Sequence, residues 1–334
     1  MKKTLLLIAT LLASYVSMAQ ETYHPTAENL KAREQFQDEK FGIFLHWGLY
    51  SMMGTTEWIM TNRDINYKEY PKLAKTFYPS EFDADAWVKA IKAAGAKYIT
   101  ITTRHHDGFS LFKTATSTYN SVDGTPFKRD IIKEMADACQ RNGIKLHLYY
   151  SHLDWGREDY PVGRTGTGTG RPKEKANWAS YYKFMNTQLT ELLTNYGKVG
   201  AIWFDGWWDH DSDAKPFDWQ LEEQYALIHK LQPQCLIANN HHQTPFAGED
   251  IQIFERDLPG ENKAGLSGQS IGRLPLESCQ TINEHWGYNI TDTLYKSPKE
   301  LIQMLVRAAG KNATLLLNIG PDPGGALPAH ALDR

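Results

Sequence analysis

Short apolar runs alternate with amphipathic helical stripes along almost the whole chain, and this alternation constrains the fold more than any other feature. The runs fall at residues 42–45, 98–102, 145–150, 201–204, 235–238, 251–254 and 315–319, with a fainter one near 275–279. Their apolar residues follow one another with little interruption, the pattern of strands buried on both faces of a parallel sheet. The helix signals between them are explicit. Ser297-Pro298-Lys299-Glu300 reads as a capping box with proline in the first turn. A stripe of Leu301, Met304, Leu305 and Ala308 follows, and Gly310 ends it. Asp130 opens a helix with Ile132, Met135 and Cys139 on one face, stopped by Gly143. Trp87, Val88, Ile91 and Ala94 mark another, stopped by Gly95, and longer helices are expected over 173–196 and 218–231. Such alternation gives a parallel sheet with crossover helices. About eight strands, with no Gly-x-Gly-x-x-Gly after the first, favour a (β/α)8 TIM barrel over an open dinucleotide-binding sheet. After the eighth strand the final outer helix is missing or barely begun, so the barrel is expected to be truncated there.

The ends and the composition narrow the setting. Lys2 and Lys3 precede an apolar stretch over 5–16 that is too short to span a bilayer, and Ser17-Met18-Ala19 offers small residues ahead of Gln20. A signal peptide over 1–19, cleaved near Ala19, is therefore expected, with the mature barrel over 20–334 exported as a periplasmic or secreted protein. No other segment is apolar enough to cross a membrane. Lys and Arg number 36 against 39 Asp and Glu, a net charge of −3 that gives nucleic acid no electrostatic footprint. Cys139, Cys235 and Cys279 are widely spaced and lack a CxxC pair, which supports neither a disulfide framework nor a zinc site. The oligomeric state is not legible.

In a TIM barrel the chemistry sits at the carboxyl ends of the strands. Strand one ends in His46-Trp47-Gly48, with Glu57-Trp58 in its loop, and strand two in Arg104-His105-His106-Asp107-Gly108. Strand three ends in Tyr149-Tyr150-Ser151-His152, and strand four in Trp203-Phe204-Asp205-Gly206-Trp207-Trp208. Strand five ends in Asn239-Asn240-His241-His242, and strand six in Phe254-Glu255-Arg256. Asp205 stands out: alternation points it the same way as Trp203, toward the barrel mouth, among several tryptophans. An aspartate here could also simply cap a turn. Glycoside hydrolysis needs two carboxyl groups, and Glu255 is the natural partner, with Glu277 and Glu57 as rivals. Glu255 could instead pair with Arg256, though alternation sets those two on opposite faces. The histidine pairs 105–106 and 241–242, with Asp205, raise a metal-site alternative. Adjacent histidines on an extended strand point apart, and neutral imidazoles bonding to sugar hydroxyls account for the same residues, so no metal or cofactor is expected. The Gly- and Thr-rich stretch 163–171 lacks the ending of a phosphate loop and reads as a mobile loop over the mouth.

These motifs together resemble the α-L-fucosidases of glycoside hydrolase family 29, from about Gln35 to Gly325. Phe41-Gly42-Ile43-Phe44 with His46-Trp47-Gly48 and Glu57-Trp58 is similar to that family's opening block, and Arg104 to Phe109 to its histidine block. Trp203-Phe204-Asp205-Gly206 looks like the nucleophile block. Trp286-Gly287-Tyr288 and Leu316-Leu317-Asn318-Ile319-Gly320-Pro321 match late signatures. The resemblance implies an exo-acting retaining α-L-fucosidase that removes terminal α-L-fucose from fucosylated oligosaccharides or glycoconjugates. Asp205 takes the place of the nucleophile, and Glu255 that of the acid/base, with Glu277 and Glu57 as alternatives. His46, His105, His106, Trp203 and Tyr150 fall on fucose-contacting positions, and Glu57, Trp58, His241 and Glu277 complete the expected binding set. Trp207 and Trp208 point to the broad-specificity subgroup. Two departures stand out: Asn240-His241-His242 replaces the arginine many members carry after the strand-five asparagine, and the C-terminal β-sandwich common in the family is not expected after this barrel. A fucose-binding barrel without turnover and a metal-dependent hydrolase on the same barrel stay open as alternatives.

Overall fold

The computed structural model describes residues 23–266 and 268–334, so the expected signal peptide lies outside the described residues. Eight strands follow in chain order: β1 Phe41–Leu45, β2 Tyr98–Arg104, β3 Lys145–Ser151, β4 Ala201–Asp205, β5 Leu236–Asn239, β6 Gln252–Glu255, β7 Leu276–Thr281 and β8 Ala313–Ile319. They form one sheet in the order β5-β4-β3-β2-β1-β8-β7-β6, and every ladder is parallel. Between β5 and β6 the described residues carry only a single bridge, Ala238 to Ile251. The sheet is thus a TIM barrel with one seam. Faint in the sequence, β7 is a full six-residue strand. Its apolar signal is weak because Glu277 points into the barrel, where other strands carry Trp, Phe or Ile.

Period-two alternation sorts the strand side chains into two cores. Phe44, Tyr98, Tyr149, Trp203, Ala238, Ile253, Cys279 and Leu316 pack together inside the barrel. Ile43, Leu45, Ile99, Ile101, Leu148, Ile202 and Phe204 face outward, toward the helices. The inner layer is tight at Gly42, where a Cβ would meet the Tyr98 ring at 2.4 Å. All three cysteines are buried and unpaired.

The helices are α1 Ala27–Glu39, α2 Ile59–Asn62, α3 Ala84–Ala93, α4 Ile131–Asn142, α5 Trp178–Asn195, α6 Leu221–Leu231, α7 Pro298–Gly310 and α8 Ala329–Leu332. Expected caps hold: the Asp130 side chain accepts from Lys133 N, Gly143 ends α4 at φ 65, and Ser297 with Glu300 closes a full capping box. Two expected helices begin later, because Asn177 caps α5 and Gln220, left-handed, opens α6. Among the described residues, the four-residue α8 is the one helix after β8.

No apolar stripe announced α1, whose buried residues are only Asn29 and Phe36. Its task is at the floor and the seam. Phe36 packs against Tyr98 with ring centroids 5.4 Å apart, plugging the amino end of the barrel. Arg33 reaches Asp250 at 2.6 Å. Asp250, fully buried beside the seam, also accepts from the Ile237 backbone N–H at 2.8 Å and lies 3.0 Å from His229 Nε2. One carboxylate thus satisfies a β5 amide that the missing ladder leaves without a strand partner. Asp250→Ala should lower the unfolding free energy by about 3 kcal/mol, since it leaves a guanidinium and a buried N–H unpaired. Urea denaturation measures this, and a loss below about 1 kcal/mol would show that the seam does not depend on it.

Candidate active site

The carboxyl ends of the strands converge on a cup of about 210 Å³ lined by His46, Glu57, Trp58, His105, His106, Trp203, Asp205 and Glu255. Phe44, Arg164, Trp208, Asn240, His242, Leu266 and Trp286 complete the wall. That volume is smaller than the roughly 300–1,000 Å³ of drug-sized pockets and suits a single ring.

Asp205, the last residue of β4, keeps its carboxylate at the cup floor with 13% of the side chain exposed. Gly206 follows at φ 95, a left-handed turn that glycine adopts without strain, and its N–H donates back to Asp205 Oδ1 at 2.8 Å. Trp208 Nε1 donates to the same oxygen at 3.0 Å and the Tyr149 hydroxyl to Oδ2 at 3.0 Å. Burial and then the neighbouring Glu255 charge push the Asp205 carboxyl up to about 6, against the pull of these donors.

Glu255, the last residue of β6, faces Asp205 through Asn240. Asn240 Nδ2 lies 2.8 Å from Glu255 Oε2 and 3.4 Å from Asp205 Oδ1. Sharing one donor atom bounds the gap between those two oxygens at roughly 6 Å, below the roughly 6.5–9.5 Å of inverting carboxyl pairs. Arg256 turns away at φ 58 and lies over the Trp286 ring at 5.1 Å, so it is not a direct partner of Glu255.

His46, His105 and His106 act as neutral hydrogen-bonding groups. Burial holds His46 down at about 4, and burial drives His105 and His106 well below the usual imidazole range. The network assigns their protons. Asn318 Nδ2 donates to the Trp286 carbonyl, so its Oδ1 accepts from His46 Nδ1 at 2.6 Å. Ser151 Oγ donates to Leu153 O, and so accepts from His106 Nδ1 at 2.7 Å. The Nε2 atoms of both rings are then acceptors for a hydroxyl hydrogen. His106 Nε2 stands 3.6 Å from Asp205 Oδ2.

Three expected binding residues lie elsewhere. Tyr150 is level with Phe204 in the β3–β4 ladder and so faces outward, its hydroxyl donating to Gln188 at 2.7 Å. Tyr149, level with Trp203, is the inward tyrosine. His241 points away from the cup to Glu249 at 3.0 Å, and His242 takes the place over Glu255. Glu277 sits level with Ile253, one inward position below Glu255, and is completely buried. There it accepts from Trp203 Nε1 at 2.7 Å and Tyr98 OH at 2.9 Å, with burial pushing it up to about 7. It is a brace beneath the cup, out of reach of a substrate in it. Glu57 does line the cup, and its Oε2 accepts from the Gly287 N–H at 2.8 Å, tying the Trp286 segment to the loop after β1. The expected mobile loop is laced down instead: Thr165 donates twice to Asp209 Oδ1 and Gly166 N donates to Thr61. It brings Arg164 over Trp208 at 5.2 Å.

Asn240, His242, Arg164, Trp208 and Trp286 are cup residues absent from the sequence-derived set. Tyr149 is told from Tyr150 by the β3–β4 register, which sets Tyr149 level with Trp203. Nothing local announces that His242 folds back over the cup.

A model of the α-L-fucosidase family matches residues 10–334. The plasma α-L-fucosidase of Rattus norvegicus is 30% identical over 362 residues, which cover 99% of this chain and 73% of that protein. The structure of α-L-fucosidase isoenzyme 1 from Paenibacillus thiaminolyticus superposes with TM-score 0.79 at 37% identity, covering 90% of this chain and 74% of that one. The α-L-fucosidase AlfC from Lactobacillus casei, solved with α-L-fucose product, gives TM-score 0.79 at 29% identity over 91% and 95% of the two chains. A variant of that enzyme is solved in complex with Fuca(1,6)GlcNAc.

The two tyrosines offer a direct test of the geometry. Tyr149→Phe removes a hydrogen bond to a charged group, about 1.5–3 kcal/mol, and should lower kcat/KM on an aryl α-L-fucoside by tenfold or more. Tyr150→Phe should cost about 1 kcal/mol of stability and leave turnover intact. The reverse pattern would mean that β3 runs in the other register.

Proposed function

The chain belongs to the α-L-fucosidase family and is a glycoside hydrolase, and from that premise we propose how its cup divides the work. Asp205 is the nucleophile and Glu255 the general acid/base of a double displacement. The observation that carries this reading is the single Asn240 Nδ2 shared by both carboxylates. Its bound of roughly 6 Å accommodates the roughly 5–5.5 Å of retaining pairs and falls short of the roughly 6.5–9.5 Å of inverting pairs.

In the first half-reaction an Asp205 oxygen bonds to the anomeric carbon, the C1–O bond to the aglycone breaks, and the Glu255 site protonates the departing oxygen. In the second, Glu255 takes a proton from water as its oxygen displaces Asp205. The donors around Asp205 disperse its charge when it leaves, and Trp58, stacked on Trp208 at 5.6 Å, supports an apolar wall for the ring. A cup of one-ring size fits exo action on terminal α-L-fucose of oligosaccharides or glycoconjugates. The basic, apolar start of the chain supports export.

Asp205→Gly should abolish hydrolysis of an aryl α-L-fucoside, with partial rescue by azide as a β-fucosyl azide. Undiminished turnover would remove Asp205 from the nucleophile's role. Chelators should leave the wild-type rate unchanged. The pH profile carries a further expectation. Asp205 must be ionised to attack, so kcat/KM should fall as pH drops through about 6, where its carboxyl takes up a proton. An acid limb below pH 4 would contradict the burial argument.

A further inference from the structure

We propose that His242 is a positioning residue for the acid/base: it holds Glu255 toward Asp205 and shares with it the one proton that the first half-reaction transfers. This rests on the assignment of Glu255 above and extends it to a residue outside the expected site.

The geometry comes first. His242 Nε2 lies 2.9 Å from Glu255 Oε2, and the same oxygen accepts from Asn240 at 2.8 Å. Both bonds fall on Oε2, so Oε1 is left for the substrate. The imidazole reaches this position because the chain turns back after β5, with His242 itself in the left-handed region at φ 63. A non-glycine residue there carries a backbone cost. Its neighbour His241 is engaged separately by Glu249. With 15% of the His242 side chain and 16% of the Glu255 side chain exposed, the pair is accessible but walled.

The surrounding charges say where the proton rests. Burial alone would favour neutral His242, but the hydrogen bond and charge of Glu255 from β6, with Asp205 from β4, more than reverse that. Arg164, from the loop after β3, opposes them, and the net shift of His242 is upward. For Glu255 burial again works against the charge, and His242, Asn240 and Arg256 outweigh it, so the carboxyl is held below its ordinary range. Both shifts favour imidazolium and carboxylate across the 2.9 Å contact, a pair that holds one transferable proton. The reacting form of the pair has the proton on Glu255 Oε1 and neutral His242 donating from Nε2 to Oε2. It is reached when Nδ1 of the imidazolium gives a proton to solvent and Oε1 takes one up. In the first half-reaction the Oε1 proton leaves on the aglycone oxygen as the C1–O bond breaks and the Asp205–C1 bond forms. The pair is left as neutral His242 and ionised Glu255. In the second, water bonds to C1, Asp205 departs, and the water proton returns to the pair. Coupled groups titrate together, so the basic limb of activity belongs to the pair and lies above that of a lone glutamic acid.

The test compares pH profiles of kcat/KM for wild type and His242→Gln on aryl α-L-fucosides with good and poor leaving groups. Glutamine keeps a donor but cannot titrate. The basic limb should move down by roughly one to two pH units, the scale set by unperturbed histidine near 6.5 and glutamate near 4.3. At pH 7 the loss should fall mainly on the poor leaving group, which needs the proton most. A basic limb unchanged from wild type, with only the amplitude reduced, overturns the proposal. His242→Asn, which suits the left-handed backbone, is measured in parallel and should show the same shift, so the result does not depend on one variant folding. Glu255→Gln separates the two readings. If it hydrolyses the poor-leaving-group fucoside at the wild-type rate, the acid/base assignment fails. If it is impaired while the His242 variants keep the wild-type basic limb, only the role of His242 fails.

Discussion

Two carboxylates held within about one sugar ring of each other in a buried cup repel, and most of the surrounding architecture answers that repulsion. Asp205 receives donors from its own turn (Gly206 and Trp208), from β3 (Tyr149) and from the end of β5 (Asn240). Glu255 is held by His242 and by the same Asn240. The donors come from three places, the turn after β4, strand β3 and the segment after β5, and the sheet brings these together. The arrangement is one of fixed dipoles placed before substrate arrives, which is the form of electrostatic help that costs no reorganisation during reaction.

The seam of the barrel belongs to the same account. Asn240 and His242 follow β5, and Glu255 ends β6, so the acid/base side of the cup stands directly above the one interface where ladder bonds are lost. Strands that part there leave space for side-chain hydrogen bonds in place of backbone ones. Below, Asp250 and Arg33 restore the missing connections. The polar helix α1 is thus tied through the seam to the reactive end, and its Phe36 belongs to the inner cluster that includes Phe44 and Trp203 of the cup wall. Glu277 performs a similar service under the opposite carboxylate, fixing the Trp203 indole that floors the cup.

Much of this was legible in the chain. The near-continuous apolar runs gave the strand positions to within a residue or two, because a parallel strand buried on both faces leaves little choice of residue. Asp205 and Glu255 stood out because a carboxylate at the end of such a run has no structural reason to face the mouth. Tyr150 and His241 were misplaced for a shared reason: each sits beside a residue of the same type, and choosing between neighbours requires the parity of the whole ladder. Glu277 was misplaced by height. Its strand register with Ile253, set by pairing to β6, puts it one inward position too deep, and no local pattern encodes that depth. The helix α1 has no signature in the pattern because it is held by one phenylalanine and two ion pairs, Arg33 with Asp250 and Glu39 with Lys145, rather than by a stripe.

The sequence by itself determined the strand–helix rhythm, the barrel and the chemical character of its rim, since each depends on alternation and on residue types over a few positions. The tertiary structure alone decided which carboxylate braces and which reacts, which histidine of a pair faces the sugar, and where the barrel opens. Those outcomes depend on register and on contacts between residues far apart in the chain, such as Trp203 with Glu277 or Arg33 with Asp250. Local periodicity carries no information about either until the sheet closes and one strand sets the height of the next.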